Sequence, residues 1–313
     1  MLKCGLLGEK LGHSYSPQIH AKLGDYEYRL YEKSPEEVED FIKNGDFDGL
    51  NVTIPYKKTI APLCADLSPQ ARLLGSVNTI VRRPDGSLYG DNTDYYGFKE
   101  LLRENGIDPS GKKCVVLGSG GASVTVCAVL NELGASEIAV ISRSGSDNYE
   151  NIEKHADASL LVNTTPVGMY PNNGEAPLQL SVFNSLDAVI DVIYNPAHTA
   201  LLLQAESLGI PYANGLYMLV SQAKRSSELF TGSVIDDELQ DDITDALSAD
   251  MQNIVLIGMP GCGKTTIGSL LAELTGREFL DVDDEASRRA GKSIPPAAAI
   301  IGRLAAFGFL SSP

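Results

Sequence analysis

The chain has 313 residues, 43% hydrophobic and 21% charged, enough apolar surface to bury two domain cores against the entropy of ordering, which excludes wholesale disorder and a single small module. Twenty-five basic and 41 acidic side chains leave a net charge of −16, so the chain is a poor general partner for nucleic acid or anionic membrane, and an anionic substrate must meet a local cationic site. Five scattered cysteines without a C-x-x-C pair, no early signal-peptide pattern and no apolar run near ~18 residues together point to a cytoplasmic, reducing environment.

In chain order, β-like runs alternate with helical patterns: LKCGLLG at 2–8, SPQIHAKL at 16–23, EYRLYE at 27–32, PEEVEDFIKN at 35–44 and FDGLNV at 47–52. This is the grammar of βαβ units and a largely parallel sheet. Pro17 and Pro35 each follow a serine, an N-cap and first-turn arrangement, and Gly24 and Gly45 fall where those helices should stop. A helix over 94–106 leads through IDPSGK to strand KCVVLG at 113–118, a Gly-rich turn, a helix to Leu133, and strands EIAVIS (137–142), SLLVNT (159–164) and DAVIDVIY (187–194). That order is a Rossmann-type unit. A helical pattern over 195–208, IPYANG and a helix over 216–230 follow.

From 233 to 250 there are seven acidic residues and no basic one, yet Ile235, Leu239, Ile243 and Leu247 recur at every fourth position, which predicts an amphipathic helix with an acidic, solvated back. The pattern then restarts with strand NIVLIG (253–258), a Gly-rich loop, a helix and strand REFLDVD (277–283). A new domain is expected near Met251.

The first chemical motif is GSGGAS at 118–123, after a buried strand and before a helix. Its glycines let backbone approach a pyrophosphate at a helix N-terminus, although Ser123 stands where the third fingerprint glycine would be. A plain glycine turn reads the same way. The next strand ends in Ser142, Arg143 and Ser144, and an arginine there suits a 2′-phosphate better than the carboxylate an NAD ribose prefers. Earlier, GHSYSP (12–17), GLNVTIPYKK (49–58), GSVNT (75–79) and GDNTDYYG (90–97) are polar clusters after predicted strands, where open α/β sheets place ligands. Each alone also suits a capped helix or a turn: Ser16 as an N-cap, Asp94 as the cap of its own helix, Lys57 as a surface lysine like Lys58.

In this order and spacing the clusters, with NTTPVGM (163–169), DVIYNPAHTALL (191–202) and NGLYMLVSQA (214–223), resemble the shikimate dehydrogenase family over residues 1–248. The resemblance implies an α/β fold with a discontinuous shikimate-binding domain (1–93 and 214–250) and an NADP-binding Rossmann domain (94–213). It implies reversible NADPH-dependent reduction of 3-dehydroshikimate in the chorismate pathway of aromatic amino acid biosynthesis. On the matching positions, Ser14, Ser16 and Tyr194 would hold the substrate carboxylate. Thr53, Asn78, Asp94 and Gln222 would face the ring hydroxyls, with Lys57 beside the reacting C3 oxygen as proton donor and Asp94 as its catalytic partner. The turn Gly118, Ser119, Gly120, Gly121 and Ala122 would take the pyrophosphate and Ser142, Arg143 and Ser144 the adenosine end. Val192, Gly215 and Met218 would border the nicotinamide.

The chain departs from the family at Val124 and Thr125, where many relatives carry a basic residue, and lacks a second arginine after the strand tip, so Arg143 would hold the 2′-phosphate almost alone. Alternative readings are a quinate/shikimate dehydrogenase using both NAD and NADP, a non-catalytic relative, and a protein whose main task is nucleotide binding. The four histidines, His13, His20, His155 and His198, lack metal-ligand spacing, so no metal is expected, and a monomer or homodimer is.

GMPGCGKT at 258–265 matches the phosphate-cradling G-x-x-x-x-G-K-[ST] pattern through Gly258, Gly263, Lys264 and Thr265, with Gly261 inside the loop. With FLDVDDE (279–285) and GKSIP (291–295) it resembles the start of shikimate kinase, in which Asp281 and Asp283 would match residues near magnesium and substrate. The segment 251–313 is read as a truncated P-loop fragment, inactive as a kinase and capable at most of weak ATP binding. After Pro295 the alanine-rich, nearly uncharged tail reads as a frame or gene-end artefact. DNA sequence beyond this point with no kinase continuation in any frame would contradict that.

Overall fold

The computed structural model describes residues 1–12, 14–259 and 261–290. Residues 1–251 form one compact unit and the chain from Gln252 a second. The first unit opens with β1 (Lys3–Gly8), α1 (Ser16–Leu23), β2 (Glu27–Glu32), α2 (Val38–Asn44), β3 (Gly49–Val52), α3 (Lys57–Ile60), β4 (Asp66–Leu67), α4 (Pro69–Leu74), β5 (Thr79–Arg82) and β6 (Leu88–Asp91). The strands make one sheet in the order β2-β1-β3-β5-β6-β4.

This sheet is mixed, a departure from the largely parallel expectation. β1 is parallel to β2 and β3, but β5 runs antiparallel to both β3 and β6. The β5–β6 pairing follows from a tight turn at 83–87, which only antiparallel neighbours can share. Gly86 takes φ +84° there, and the Asp85 carboxylate accepts from the Ser87 N–H at 2.9 Å and hydroxyl at 2.7 Å. Consequently GSVNT leads into a strand and GDNTD begins inside one; neither follows a strand as expected.

The Ser-Pro starts also divide. Ser16 lies inside α1, whose cap position is Tyr15, and it is Ser14 Oγ that accepts the Ser16 N–H at 3.2 Å. After Ser34 the helix proper begins only at Val38. Gly24 and Gly45 do stand at the C-terminal caps of α1 and α2.

The second half of the unit contains α5 (Thr93–Glu104), β7 (Lys113–Leu117), α6 (Gly121–Glu132), β8 (Glu137–Ile141), β9 (Leu160–Asn163), β10 (Ala188–Asp191), α7 (Ala200–Ser207), β11 (Tyr212–Ala213), α8 (Leu216–Thr231) and α9 (Asp237–Met251). Its five strands, ordered β11-β10-β9-β7-β8, are all parallel. The near-continuous burial of β7, β9 and β10 is what a sheet covered on both faces requires. One face packs on α5, α6 and α8 through Phe98, Leu101, Val126 and Tyr217, the other on α7 through Leu201 and Leu202.

The acidic stretch folds as the expected amphipathic helix: in α9, Ile243 and Leu247 are buried against Ile19 and Leu23 of α1 and Val220 of α8, with Ile235 and Leu239 beside them. No helix among the described residues is long and apolar enough to cross a membrane.

In the second unit α10 (Lys264–Thr275) and α11 (Val282–Ala290) form, but the strands expected over 253–258 and 277–283 do not. A strand exists only when its backbone groups pair with a neighbour. Among the described residues neither segment has one, and Ile254, Val255, Ile257 and Leu280 stay exposed. α11 instead starts inside the second segment, with Asp283, Asp284 and Glu285 in its first turn, where carboxylates are favoured. His13, GKSIP at 291–295 and the tail after Pro295 lie outside the described residues.

Candidate active site

Lys57 is placed by the turn that follows β3. The Thr53 N–H donates to Leu7 O at 2.9 Å, the Tyr56 N–H donates to Thr53 O at 3.0 Å, and the Lys57 carbonyl accepts from Val77 at 2.9 Å. Tyr56 is buried and its hydroxyl donates to Lys33 O at 2.5 Å. So fixed, the Lys57 side chain reaches Asp94 in the first turn of α5, with Nζ 2.5 Å from Oδ2 and the two side chains 30% and 22% exposed. Lys58 faces solvent. Asp94 therefore does not cap its helix, as one reading allowed. That task falls to Asn78, whose Oδ1 accepts the Thr93 N–H at 2.6 Å.

The other residues singled out in the sequence have their own placements. The Gln222 carboxamide on α8 lies with Oε1 3.5 Å from Thr93 Oγ1 and Nε2 2.9 Å from Leu219 O. Ser14 and Ser16 are half-buried at the start of α1, and the Ser16 hydroxyl donates toward the Tyr28 oxygen. Tyr194, from the loop after β10, meets Tyr15 edge to face with centroids 5.9 Å apart. Burial pushes the Tyr194 hydroxyl above its ordinary value, leaving it a neutral donor.

The dinucleotide half follows from strand register. Leu117 pairs with Ile141 and Asn163, Asp191 with Asn163, and Ile190 with Ala213. The residues after these strands, Gly118, Ser142, Val192 and Gly215, therefore lie along one carboxyl edge, where such sheets bind ligands. Gly118 has φ +103° and a Cβ there would sit 2.8 Å from Thr164 Oγ1, whereas nothing lies within 4 Å of a Cβ on Gly120 or Gly121. That bare helix start, with exposed Ser119 and Ala122 beside it, has room for a pyrophosphate against free amides. Ser123 fills the third fingerprint position fully buried.

Arg143 and Ser144 are exposed, and Ser142 is tied to Asp147 O at 3.2 Å. Gly215 presses on Val192, whose carbonyl would be 2.0 Å from a Cβ there, and Val192 and Met218 pack on the same core.

Sequence reasoning missed the groups that hold this framework. Asp191 is fully buried and accepts from Asn163 Nδ2 (3.0 Å), the Ile193 N–H (3.1 Å) and Thr199 Oγ1 (2.8 Å). Burial pushes its carboxyl up to about 6, against the pull of those donors. It ties together the segments that carry Thr164, Val192 and Tyr194. Thr79, Thr93, Asn51 and Ser226 were likewise missed, although Asn51, Thr79 and Thr93 lie inside quoted motifs; small polar residues beside strand ends were their only signal.

In the second unit the loop glycines Gly258, Gly261 and Gly263 all take positive φ, and the Lys264 ammonium donates to Gly258 O and Met259 O at 2.9 Å each. Thr265 is in the first turn of α10.

Comparison with known proteins matches residues 6–80 to the shikimate dehydrogenase substrate binding domain and residues 260–303 to shikimate kinase. The second match thus runs beyond Pro295, where the resemblance was expected to end. The chain is 34% identical over 264 residues to a shikimate dehydrogenase (NADP(+)) of Clostridium perfringens, covering 78% of this chain and 97% of that one. Among solved structures, a chorismate mutase/shikimate 5-dehydrogenase fusion protein from Clostridium acetobutylicum superposes with TM-score 0.75 at 36% identity, covering 79% and 97%. The Thermus thermophilus shikimate 5-dehydrogenase in complex with NADP(H) and shikimate gives 0.71 at 31% identity, covering 79% and 99%.

Proposed function

The chain belongs to the shikimate dehydrogenase family, and from that premise we propose that its first unit reversibly reduces 3-dehydroshikimate to shikimate with NADPH. The observation that carries the reading is the half-buried Lys57–Asp94 ion pair, supported by a second sheet whose carboxyl edge has room for a pyrophosphate at Gly120 and Gly121. When bound, NADPH supplies the hydride to C3. Lys57 Nζ donates the proton that the developing C3 alkoxide needs, and its charge stabilises that oxygen beforehand. Asp94 holds the ammonium in place and accepts from a substrate hydroxyl. Being 30% exposed, Lys57 regains its proton from solvent.

Ser14, Ser16 and Tyr194 bind the carboxylate through hydroxyls, while Thr53, Asn78 and Gln222 contact the ring. Gly118 to Ala122 hold the pyrophosphate, and Val192, Gly215 and Met218 flank the nicotinamide. The assay is NADPH oxidation with 3-dehydroshikimate. Lys57→Ala should lower kcat by about 10² to 10⁴; turnover at the parent rate would overturn the mechanism.

We assign NADP preference to Arg143, with Ser142 and Ser144 at the same tip. In Arg143→Gln, NADP⁺ affinity should drop about tenfold or more, the worth of a charge-assisted bond, with NAD⁺ affinity unmoved; equal losses for both would refute the assignment. With a net charge of −16, neither nucleic acid nor anionic membrane is a partner; adsorption to anionic vesicles at physiological salt would contradict this. The second unit we assign at most weak ATP binding, because Lys264 is already bonded to carbonyls of its own loop. Calorimetric titration with ATP and an assay of ATP-dependent shikimate phosphorylation test this.

A further inference from the structure

Behind Asn78 and Gln222 lie three hydroxyls, Thr79 on β5, Thr93 at the start of α5 and Ser226 on α8, each at least 99% buried. Their oxygens are 2.8 Å (Thr79–Ser226), 3.1 Å (Thr93–Ser226) and 3.2 Å (Thr79–Thr93) apart. Buried Asn51 feeds this triangle: its Nδ2 donates to Ser226 Oγ at 2.7 Å and Thr79 Oγ1 at 3.2 Å, while its Oδ1 accepts from Tyr28 at 2.8 Å. The Ser226 hydroxyl passes its own hydrogen to Gln222 O at 2.9 Å.

The orientation of the two carboxamides follows from main-chain groups that can act in only one way. The Thr93 N–H can only donate, so the Asn78 atom 2.6 Å from it is oxygen. Leu219 O can only accept, so the Gln222 atom 2.9 Å from it is nitrogen. Asn78 Oδ1 also lies 3.1 Å from Thr93 Oγ1 and 3.3 Å from Thr79 Oγ1. Because Ser226 gives its hydrogen to Gln222 O, the Thr79 hydrogen goes to Ser226 Oγ, whose lone pairs are then filled by Asn51 and Thr79. The Thr93 hydroxyl is thereby turned to Asn78 Oδ1, which with the Thr93 N–H fills that oxygen's two lone pairs and leaves the amide NH₂ for a ligand. One Gln222 N–H is spent on Leu219 O, which fixes the carboxamide with its Oε1 on the Thr93 side, 3.5 Å from Oγ1, and leaves its second N–H.

We infer that Thr79 and Ser226 are positioning residues that, through Thr93, lock Asn78 as a hydrogen-bond donor toward the substrate, beside the N–H that Gln222 presents. The inference rests on the shikimate site proposed above. It makes the site directional: a ring hydroxyl that accepts from these amides and donates to Asp94 fits, whereas an ammonium in its place has only donors and meets N–H groups head on.

The test measures steady-state shikimate oxidation and, separately, NADP⁺ dissociation by fluorescence and thermal unfolding, all on the full chain. Thr79→Val and Ser226→Ala should each raise KM for shikimate about tenfold, as expected for a hydrogen bond of ordinary net worth to substrate, with kcat and the NADP⁺ dissociation constant within about twofold of the parent. Thr79→Ser, which keeps the oxygen, should restore the parent KM. An unmoved KM in both folded variants overturns the inference. So does a joint decline of kcat, shikimate KM and NADP⁺ affinity, which would mark a merely structural role. Should Thr79→Val not fold, Ser226→Ala decides by the same criteria. A parent chain that neither oxidises nor binds shikimate overturns the functional reading itself, a failure visible before any variant is compared.

Discussion

At the scale of single residues, chemistry here depends on what each side chain is denied. Lys57 and Lys58 are adjacent and identical in type, yet one reaches a carboxylate and the other faces water, because the bonded turn at Thr53 to Tyr56 aims only the first inward. His20 is the opposite case, a titratable group kept from ionising. It is 99% buried, stacks on Tyr28 with centroids 4.0 Å apart, and shares a 2.6 Å hydrogen bond with Tyr26. Burial lowers its pKa to about 3, with a hydrogen bond to Asn51 opposing, against ~6.5 in the unfolded chain. Between these values the unfolded state binds the extra proton, so the stability contributed by neutral His20 is complete above about pH 6.5 and is lost as pH falls toward about 3. In denaturant titrations at a series of pH values, His20→Gln should make the acid-side decline of unfolding free energy shallower by up to about 1.4 kcal/mol per pH unit. A slope equal to the parent's would show that His20 accepts a proton in the folded state.

Among elements, the contact between α5 and α8 matters most, since α5 carries Asp94 and α8 carries Gln222 and Met218. Gly97 permits it: a Cβ there would fall 2.6 Å from Met218 O and 3.1 Å from Gln222 Cβ, and the first of these is main chain that cannot swing away. Gly97→Ala must therefore push α8 outward. The expected cost is ~1 to 3 kcal/mol of stability, as for overpacked cores, with KM raised for both shikimate and NADPH because Gln222 and Met218 move together. Thermal unfolding and steady-state kinetics read both effects, and a variant with parent stability and parent KM values would refute the account. Helix starts make a related point. The same Ser-Pro signature occurs at 16–17, 34–35 and 68–69, yet of these only Ser68 caps its own helix, its hydroxyl oxygen accepting the Ala71 N–H at 3.0 Å. At α5 the capping oxygen comes from Asn78, on another segment altogether.

For the whole molecule, every hydrophobic cluster among the described residues is built within 1–251, and the described part of the second unit pairs no strand. A phosphate loop is braced by the strand behind it, and among the described residues none forms there, so ATP should bind weakly, with shikimate phosphorylation at background; tight binding or turnover would reverse this conclusion. Much was legible beforehand because it is local. Alternating runs and glycine punctuation marked the parallel sheet of the dinucleotide half, and a four-residue apolar repeat marked α9, since periodicity and turn chemistry act over a few residues. The mixed sheet was less so: PDG at 84–86 was a readable turn signal, but that its hairpin docks antiparallel on β3 was decided only by the folded chain. Sequence alone determined the strands and helices of the dinucleotide half, the family and the residue types able to move a proton. Only the folded chain decided that Lys57 meets Asp94 across 37 positions, that Asn51 reaches Ser226 across 175, and which end of each carboxamide faces outward, because hydrogen bonds and burial depend on separation in space, to which separation along the chain is no guide.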